Sequence, residues 1–143
     1  MPNSWIFQAN PKYYDIDNAI KSLNEIPWRV SGFINYIKKG DRVFIWKSGE
    51  DGGIIAIGTI QTNICNISFN EEELKFAIER DLYMFKSNRR GVRVSIDNVL
   101  NIPITKSYLK KHEILSRLSV IRSAQGTNFK LEPEEIKALD SLI

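Results

Sequence analysis

Two apolar segments on either side of a glycine-rich loop constrain the fold of this chain more than any other feature. Residues 42–48 alternate with the period of a strand, and both faces of that strand are apolar: Val43 and Ile45 on one, Phe44 and Trp46 on the other. A strand of this kind lies inside a sheet. The loop at residues 49–53 predicts a hairpin, and residues 54–62 return as a second inner strand.

Strand and helix patterns alternate along the rest of the chain. Strands are predicted at residues 5–9 and 92–96, and helices at residues 16–26, 71–80, 106–118 (one or two short helices) and from Pro133 onward. Gly58, inside the second inner strand, indicates a bulge or a close approach of another backbone. This order of elements predicts the α+β class, with a small, bent β-sheet that closes toward a pseudo-barrel and is flanked by helices.

Length and residue counts narrow the class of protein. The 143 residues predict a single domain, residues 1–143. No apolar run approaches the ~18 residues of a membrane span, and the N-terminus lacks a secretory pattern, so we expect a cytoplasmic protein without a membrane partner. The chain has one cysteine, Cys65, and one histidine, His112. We therefore expect no disulfide, no metal, no cofactor and no catalytic residue of the Ser-His-Asp or Cys-His type.

Two tryptophans lie where a flat ligand could stack. Trp28 follows Pro27 in a predicted loop, and Trp46 stands at the end of an inner strand. An aromatic plane beside small polar groups suits a heterocyclic base, whose ring stacks while its edge is read by hydrogen bonds. The polar residues that follow Trp46 are Lys47, Ser48 and Gly49. The alternative for either tryptophan is a place in the core.

A second polar segment lies near the C-terminus. It consists of Gln125, Gly126, Thr127 and Asn128. The amide side chains offer both donors and acceptors, and the glycine lets the backbone come close to a ligand. This segment is a candidate second wall of a binding pocket. The alternative is a simple turn that leads into the last helix and buries Phe129.

Basic residues are clustered although the net charge is only +3, with a pI near 9.0. The clusters are Lys38-Lys39, Lys110-Lys111-His112, and Arg89, Arg90 and Arg93, whereas acidic residues collect at 71–73 and 134–135. Segregated charge of this kind can produce one positive face. Arg89, Arg90, Arg93 and Lys47 are the candidate phosphate contacts. The alternative is that these residues are solvated loops and helix ends.

Four blocks, taken in order, resemble the EVE domain, a small module of the PUA-like superfamily that is similar in fold to YTH domains. The blocks are residues 5–17 (WIFQANPKYYDID), 28–30 (WRV), 40–58 and 119–131, and the last contains RSAQGTNF. The resemblance covers residues 4–143, and residues 63–118 depart most from it. It implies a PUA-like fold and a module that binds nucleic acid bearing a modified base, flipped into an aromatic-lined pocket.

The same resemblance implies which residues line the pocket, because their positions match those of pocket residues in the family. Trp28 and Trp46 match the pocket aromatics, Lys47, Ser48 and Gly49 match the adjoining strand end, and Gln125, Gly126, Thr127 and Asn128 match the C-terminal loop. The divergent middle segment leaves the third wall of the pocket without an assigned residue.

We therefore expect a non-catalytic module that recognises a modified base, methylated cytosine or a relative, in DNA or RNA. One alternative is a small-molecule or protein-interaction module that uses the same pocket. Another is an enzyme acting on nucleic acid or a nucleotide, which would need a catalytic group that the sequence does not show. The salt dependence of binding distinguishes these hypotheses. Phosphate contacts make affinity fall steeply as ionic strength rises, whereas the affinity for a free metabolite is almost independent of salt.

Overall fold

A computed structural model describes residues 2–123 and 125–143, in which seven strands form one curled, mixed sheet with six α-helices around it. The strands are β1 (Ser4–Ala9), β2 (Glu25–Arg29), β3 (Arg42–Lys47), β4 (Gly53–Ile60), β5 (Cys65–Ile67), β6 (Arg89–Thr105) and β7 (Asn128–Lys130). The helices are α1 (Ile16–Ser22), α2 (Glu71–Leu74), α3 (Tyr83–Lys86), α4 (Lys106–Lys110), α5 (Ser119–Arg122) and α6 (Pro133–Leu142), with 3-10 turns at Glu79–Asp81 and Leu115–Arg117. The α+β class and the bent, half-barrel sheet are confirmed.

The central hairpin is also confirmed. Strands β3 and β4 pair antiparallel, from Arg42 opposite Thr59 to Lys47 opposite Gly53. The full order across the sheet is β2-β6-β4-β3-β1-β7, and β5 pairs with the start of β6. Among the strand pairs of the described residues, β1 and β3 alone run parallel. Strands β2 and β7 are therefore the two ends of the curled sheet.

Gly58 marks a close approach, as the sequence predicts. The register of β4 against β6 shifts between Ile57 and Gly58. A Cβ atom at Gly58 would lie only 2.0 Å from the carbonyl oxygen of Ser95 on β6. The two backbones can come this close only because the glycine has no side chain.

The two faces of the inner strand pack in two separate hydrophobic clusters. Val43 and Ile45 join the first cluster, which contains Trp5, Phe7 and Trp28. Phe44 and Trp46 join the second, which packs residues of α4, α5 and α6 against the other side of the sheet; its members include Leu109, Val120 and Leu139. Strand alternation thus divides the core in two.

The first helix is shorter than predicted, and a strand follows it within the predicted helical range. Asp15 caps α1, its side chain accepting the Asn18 backbone N–H, but the helix ends at Ser22. Residues 25–29 form β2, so Trp28 lies in a strand and the predicted loop is wrong. Pro27 is tolerated because β2 is an edge strand and needs no second ladder there. Pairing with β6 has overridden the local helical pattern.

The middle of the chain also differs from its prediction. The helix expected at residues 71–80 stops at Leu74, where a bridge between Ala77 and Tyr14 draws the chain back toward the sheet. The strand expected at residues 92–96 runs from Arg89 to Thr105, because it has partner strands on both sides. The helices around residues 106–118 and after Pro133 are confirmed. In the described part of the chain, no helix has the length and apolar character needed to cross a membrane.

Candidate functional site

A cavity of about 570 Å³ opens at the end of β1, beside the edge strand β2. One wall comes from β2, a second from the Tyr13–Tyr14 loop and α1, and a third from the middle segment between residues 67 and 89. The lining also includes Gln8, Ser48, Gly126 and Thr127. The cavity thus gathers segments from both ends and the middle of the sequence.

Trp28 belongs at once to the core and to the cavity wall. Its side chain lies in the first cluster, only 5% exposed, and its ring centroid is 6.1 Å from that of Phe7. The indole Nε1–H donates to the Gln8 carbonyl oxygen over 3.3 Å, which fixes the ring plane. Trp28 is therefore both a core residue and a residue of the cavity wall, because the packed ring presents part of its surface to the cavity.

An aromatic cluster supplies the wall that sequence reasoning left without residues. Tyr14, Phe69 and Phe85 form a triangle of rings, with centroid distances of 5.7 Å (Tyr14–Phe69), 5.3 Å (Tyr14–Phe85) and 5.2 Å (Phe69–Phe85). Ile67 and Met84 extend this apolar surface. The available signal was the run of phenylalanines at 69, 76 and 85, whose spacing fits no single helix or strand.

The hydroxyl of Tyr14 is held in a hydrogen bond within the protein. It donates to the carbonyl oxygen of Glu73 over 2.7 Å. Burial raises the pKa of Tyr14 well above its ordinary value, and the charges of Glu73 and Asp15 raise it further. The phenol therefore stays protonated near neutral pH and acts as a hydrogen-bond donor, not as a base.

The C-terminal loop is only partly at the cavity. Gly126 and Thr127 line it and are tied to Gln8: the Gln8 side-chain Nε2–H donates to Gly126 O, and its backbone N–H to Thr127 O, both over 2.8 Å. Gln125 is exposed and outside the lining. Asn128 is buried, where its Oδ1 accepts the Ser31 N–H (2.9 Å) and its Nδ2–H donates to Arg29 O (3.1 Å).

The structure places Trp46 away from the cavity, which corrects the expectation that it forms a pocket wall. Its ring is 2% exposed and lies in the second cluster, on the opposite side of the sheet. Of the three residues that follow it, only Ser48 lines the cavity. Lys47 forms an ion pair with Asp17, with 2.6 Å between Nζ and Oδ2, and Gly49 lies in the exposed hairpin turn with φ of +107°. Alternation along β3 explains the outcome, because Trp46 faces the same side as Phe44.

The three arginines of β6 have different surroundings. Arg89 lines the cavity, and its Nε–H donates to Met84 O over 3.2 Å. Arg90, on the other face of the strand, is exposed and outside the lining. Arg93 is held by two carboxylates, that of Glu25 at 2.8 Å and that of Glu73.

The two carboxylates make Arg93 a poor phosphate ligand, contrary to expectation. Burial lowers the pKa of Arg93, but hydrogen bonds and charge interactions with Glu73 and Glu25 outweigh burial and leave that pKa raised. The guanidinium charge is therefore already balanced inside the protein.

Arg29 is a cavity residue that sequence reasoning noted only as the neighbour of Trp28. It is exposed and lines the cavity, and its side chain makes no hydrogen bond or ion pair with residues 2–123 or 125–143. Together with Arg89 it supplies the charge of the site. No carboxylate occurs among the described residues that line the cavity.

The family model of the EVE domain matches residues 3–142. Among solved structures, the human THYN1 protein in complex with 5-methylcytosine-containing DNA is similar at a TM-score of 0.70 and 15% identity, covering 98% of this chain and 96% of that one. A Pseudomonas putida protein is similar at a TM-score of 0.70 and 18% identity, covering 97% and 98%. A Leishmania major protein is similar at a TM-score of 0.70 and 13% identity, covering 99% and 94%. No curated protein matches the sequence.

Proposed function

The chain belongs to the EVE domain family, and from this premise we propose that it binds nucleic acid, without catalysis, by taking one modified base into the cavity beside Trp28. The cavity is the observation that carries the proposal. Its volume of about 570 Å³ lies within the ~300–1,000 Å³ typical of ligand pockets. A base that leaves its stack for such a cavity regains stacking on aromatic rings, worth roughly 1–3 kcal/mol per base.

A cytosine bearing a methyl group is the first candidate for the base. The human THYN1 structure, which shares this fold, contains DNA with 5-methylcytosine. In the present chain, Ile67 and Met84 offer apolar contacts that a methyl group can use. One methyl contact discriminates by about 1–3 kcal/mol, so we expect modest selectivity of about 10- to 200-fold for the modified strand.

Binding without catalysis fits the positions of the groups that could catalyse. The Nδ1 atom of His112 accepts the backbone N–H groups of Ile114 and Leu115, both over 3.1 Å, and His112 does not line the cavity. Tyr14 keeps its proton, as its raised pKa requires. The polar groups at the cavity are suited to hydrogen bonding at the edge of a base.

A free nucleoside or another small flat metabolite is the second candidate ligand, favoured by the same enclosed volume. Its binding would be almost independent of salt. A DNA or RNA strand with phosphate contacts instead gives log Kd a slope of about 0.7–0.9 per contact against log salt.

The test is a binding panel with a matched pair of variants. Single-stranded and duplex oligonucleotides, with cytosine or 5-methylcytosine at one position, are titrated into the wild type, Trp28→Leu and Trp46→Leu. Both tryptophans are buried, but only Trp28 lines the cavity. We expect Trp28→Leu to weaken binding of the modified strand by about 1–3 kcal/mol and Trp46→Leu to leave it unchanged. Both changes should cost stability, since large-to-small core substitutions commonly cost about 2–5 kcal/mol.

Measurements are therefore made where circular dichroism shows both variants to be folded, and Trp28→Phe with Trp46→Phe provides a gentler pair. Equal loss of affinity in the two leucine variants would assign the effect to stability and refute the base pocket. Binding of every strand without any preference for a modified base would reduce the proposal to general nucleic-acid binding.

A further inference from the structure

Among the described residues that line the cavity, the charged side chains are two arginines, the exposed Arg29 and the half-buried Arg89. We propose that they form a phosphate-binding pair, so that the ligand is a nucleotide held both by its base and by the phosphate next to that base. This inference rests on the proposed function and adds an anionic group, with its two ligands, to the same site.

The sheet register brings these arginines together. Arg29 on β2 lies opposite Gly91 on β6, and Arg89 precedes Gly91 by two positions. Residues two apart on a strand share a face, so Arg29 and Arg89 are diagonal cross-strand neighbours, with Cα atoms about 7–8 Å apart. Two guanidinium groups at this spacing can reach the oxygens of one phosphate.

Gly91 lies beside both arginines, opposite Arg29 and two positions after Arg89, and the side chain of Ile67 packs over it. A Cβ atom at this position would lie 2.2 Å from the carbonyl oxygen of Trp28 and 2.5 Å from Cδ1 of Ile67. Only glycine fits at this position, because the Trp28 carbonyl oxygen and the Ile67 side chain already occupy the place of a Cβ atom. The same close approach fixes Trp28 and Ile67, two cavity residues, relative to the strand that carries Arg89.

Within residues 2–123 and 125–143, neither arginine is paired with a carboxylate. Arg89 uses its Nε–H for Met84 O and keeps its two terminal NH₂ groups. The Arg29 side chain makes no hydrogen bond or ion pair with the described residues. Arg93 on the same strand, by contrast, is bound by Glu25 and Glu73. Two adjacent cations without a carboxylate repel each other, and an anion between them removes that cost.

Phosphate is the anion that fits a base-binding cavity. Guanidinium groups bind it through paired, charge-assisted hydrogen bonds. The aromatic side chains of Tyr14, Phe69 and Phe85 form the apolar interior, whereas Arg29 is exposed and Arg89 half-buried. A nucleotide with its base inside can then place its phosphate beside the two arginines.

Chemically matched ligands separate the two halves of the site. Calorimetry compares 5-methyl-2′-deoxycytidine, its 3′- and 5′-monophosphates, and a short DNA strand carrying one 5-methylcytosine. We expect one monophosphate to bind at least tenfold more tightly than the nucleoside. Arg29→Gln and Arg89→Gln should each remove most of this gain, weaken the strand about tenfold and lower its salt slope by about 0.7.

Arg90→Gln is the matched control, because Arg90 adjoins Arg89 on the strand but is exposed on the opposite face. It should leave the gain from the monophosphate intact. The phosphate pair is wrong if phosphate adds nothing to nucleoside affinity, or if the Arg29 and Arg89 changes act no more strongly than Arg90→Gln.

The outcomes also separate this inference from the proposed function. Binding of the methylated strand that depends on Trp28 but not on the two arginines would keep the base pocket and reject the phosphate pair. A monophosphate that binds more tightly than the strand, and that needs both arginines, would keep the pair and identify a free nucleotide as the ligand. Failure of every probe to bind would reject both.

Discussion

At the scale of single residues, the surroundings of a side chain decide its role more than its type does. Arg89, Arg90 and Arg93 lie close together on β6, yet one lines a cavity, one faces solvent and one is enclosed by Glu25 and Glu73. From the sequence, all three were equal candidates for phosphate contacts. Of the three, only Arg89 lines the cavity, because strand alternation turns Arg90 away from it and two carboxylates hold Arg93.

We predict that Arg93→Gln destabilises the fold without changing phosphate binding. The change leaves the carboxylate of Glu73, which is 2% exposed, without its cation. Breaking a buried pair costs up to about 3–5 kcal/mol. We expect the lower end in urea denaturation, because the Arg93 side chain is 30% exposed. Arg42→Gln, which breaks the exposed pair with Asp140, should cost less than about 1 kcal/mol.

A flatter salt slope for nucleic-acid binding in Arg93→Gln, with stability preserved, would contradict this assignment and return Arg93 to the phosphate contacts.

For helices and strands, local sequence patterns predicted correctly the elements whose partners are close in sequence. The β3–β4 hairpin follows from alternation and a glycine-rich loop, because its partners are adjacent in sequence. Strand β2 could not be found in this way. Its pairing with β6 joins Trp28 to Val92, far along the chain, and Pro27 suggested the end of a helix. The same long-range pairing turned a predicted loop tryptophan into a buried wall of the site.

The side chain of Asn128 links the two ends of the curled sheet, so we expect its loss to weaken both stability and binding. Its amide links β7 to the Arg29 carbonyl oxygen and the Ser31 N–H. Asn128→Ala leaves both backbone groups without this partner, which should cost about 1–3 kcal/mol in thermal or urea unfolding. Affinity for the methylated strand should also fall although Asn128 lies outside the cavity, because Arg29 and the Gly126–Thr127 segment lose their common anchor.

Gln125→Ala is the control for this prediction, since Gln125 is an exposed residue of the same loop. It should change stability by less than about 0.5 kcal/mol and leave affinity unaltered. Loss of affinity in Gln125→Ala but not in Asn128→Ala would mean that the loop contacts the ligand through its exposed amide.

At the scale of the whole molecule, the cavity lies beside the edge strand β2 and takes residues from several distant segments. The sequence placed Trp28, Ser48, Gly126, Thr127 and Arg89 among its candidates, and all five line the cavity. It missed the triangle of aromatic rings, whose members come together only when the middle segment folds back against the sheet. It also placed Trp46 at the site, although the sheet separates that ring from the cavity.

A modified base that enters the cavity beside Trp28 changes the surroundings of that indole ring, and fluorine NMR detects this change without altering the fold. The chain has three tryptophans, Trp5, Trp28 and Trp46, so 5-fluorotryptophan labelling gives three resonances, which Trp→Phe variants assign. On titration with a DNA strand carrying one 5-methylcytosine, the account predicts a large shift of the Trp28 resonance and little change at Trp46. The unmodified strand should shift Trp28 less at equal concentration. A strand that binds while Trp28 stays unchanged, or that shifts Trp46 instead, would contradict the account.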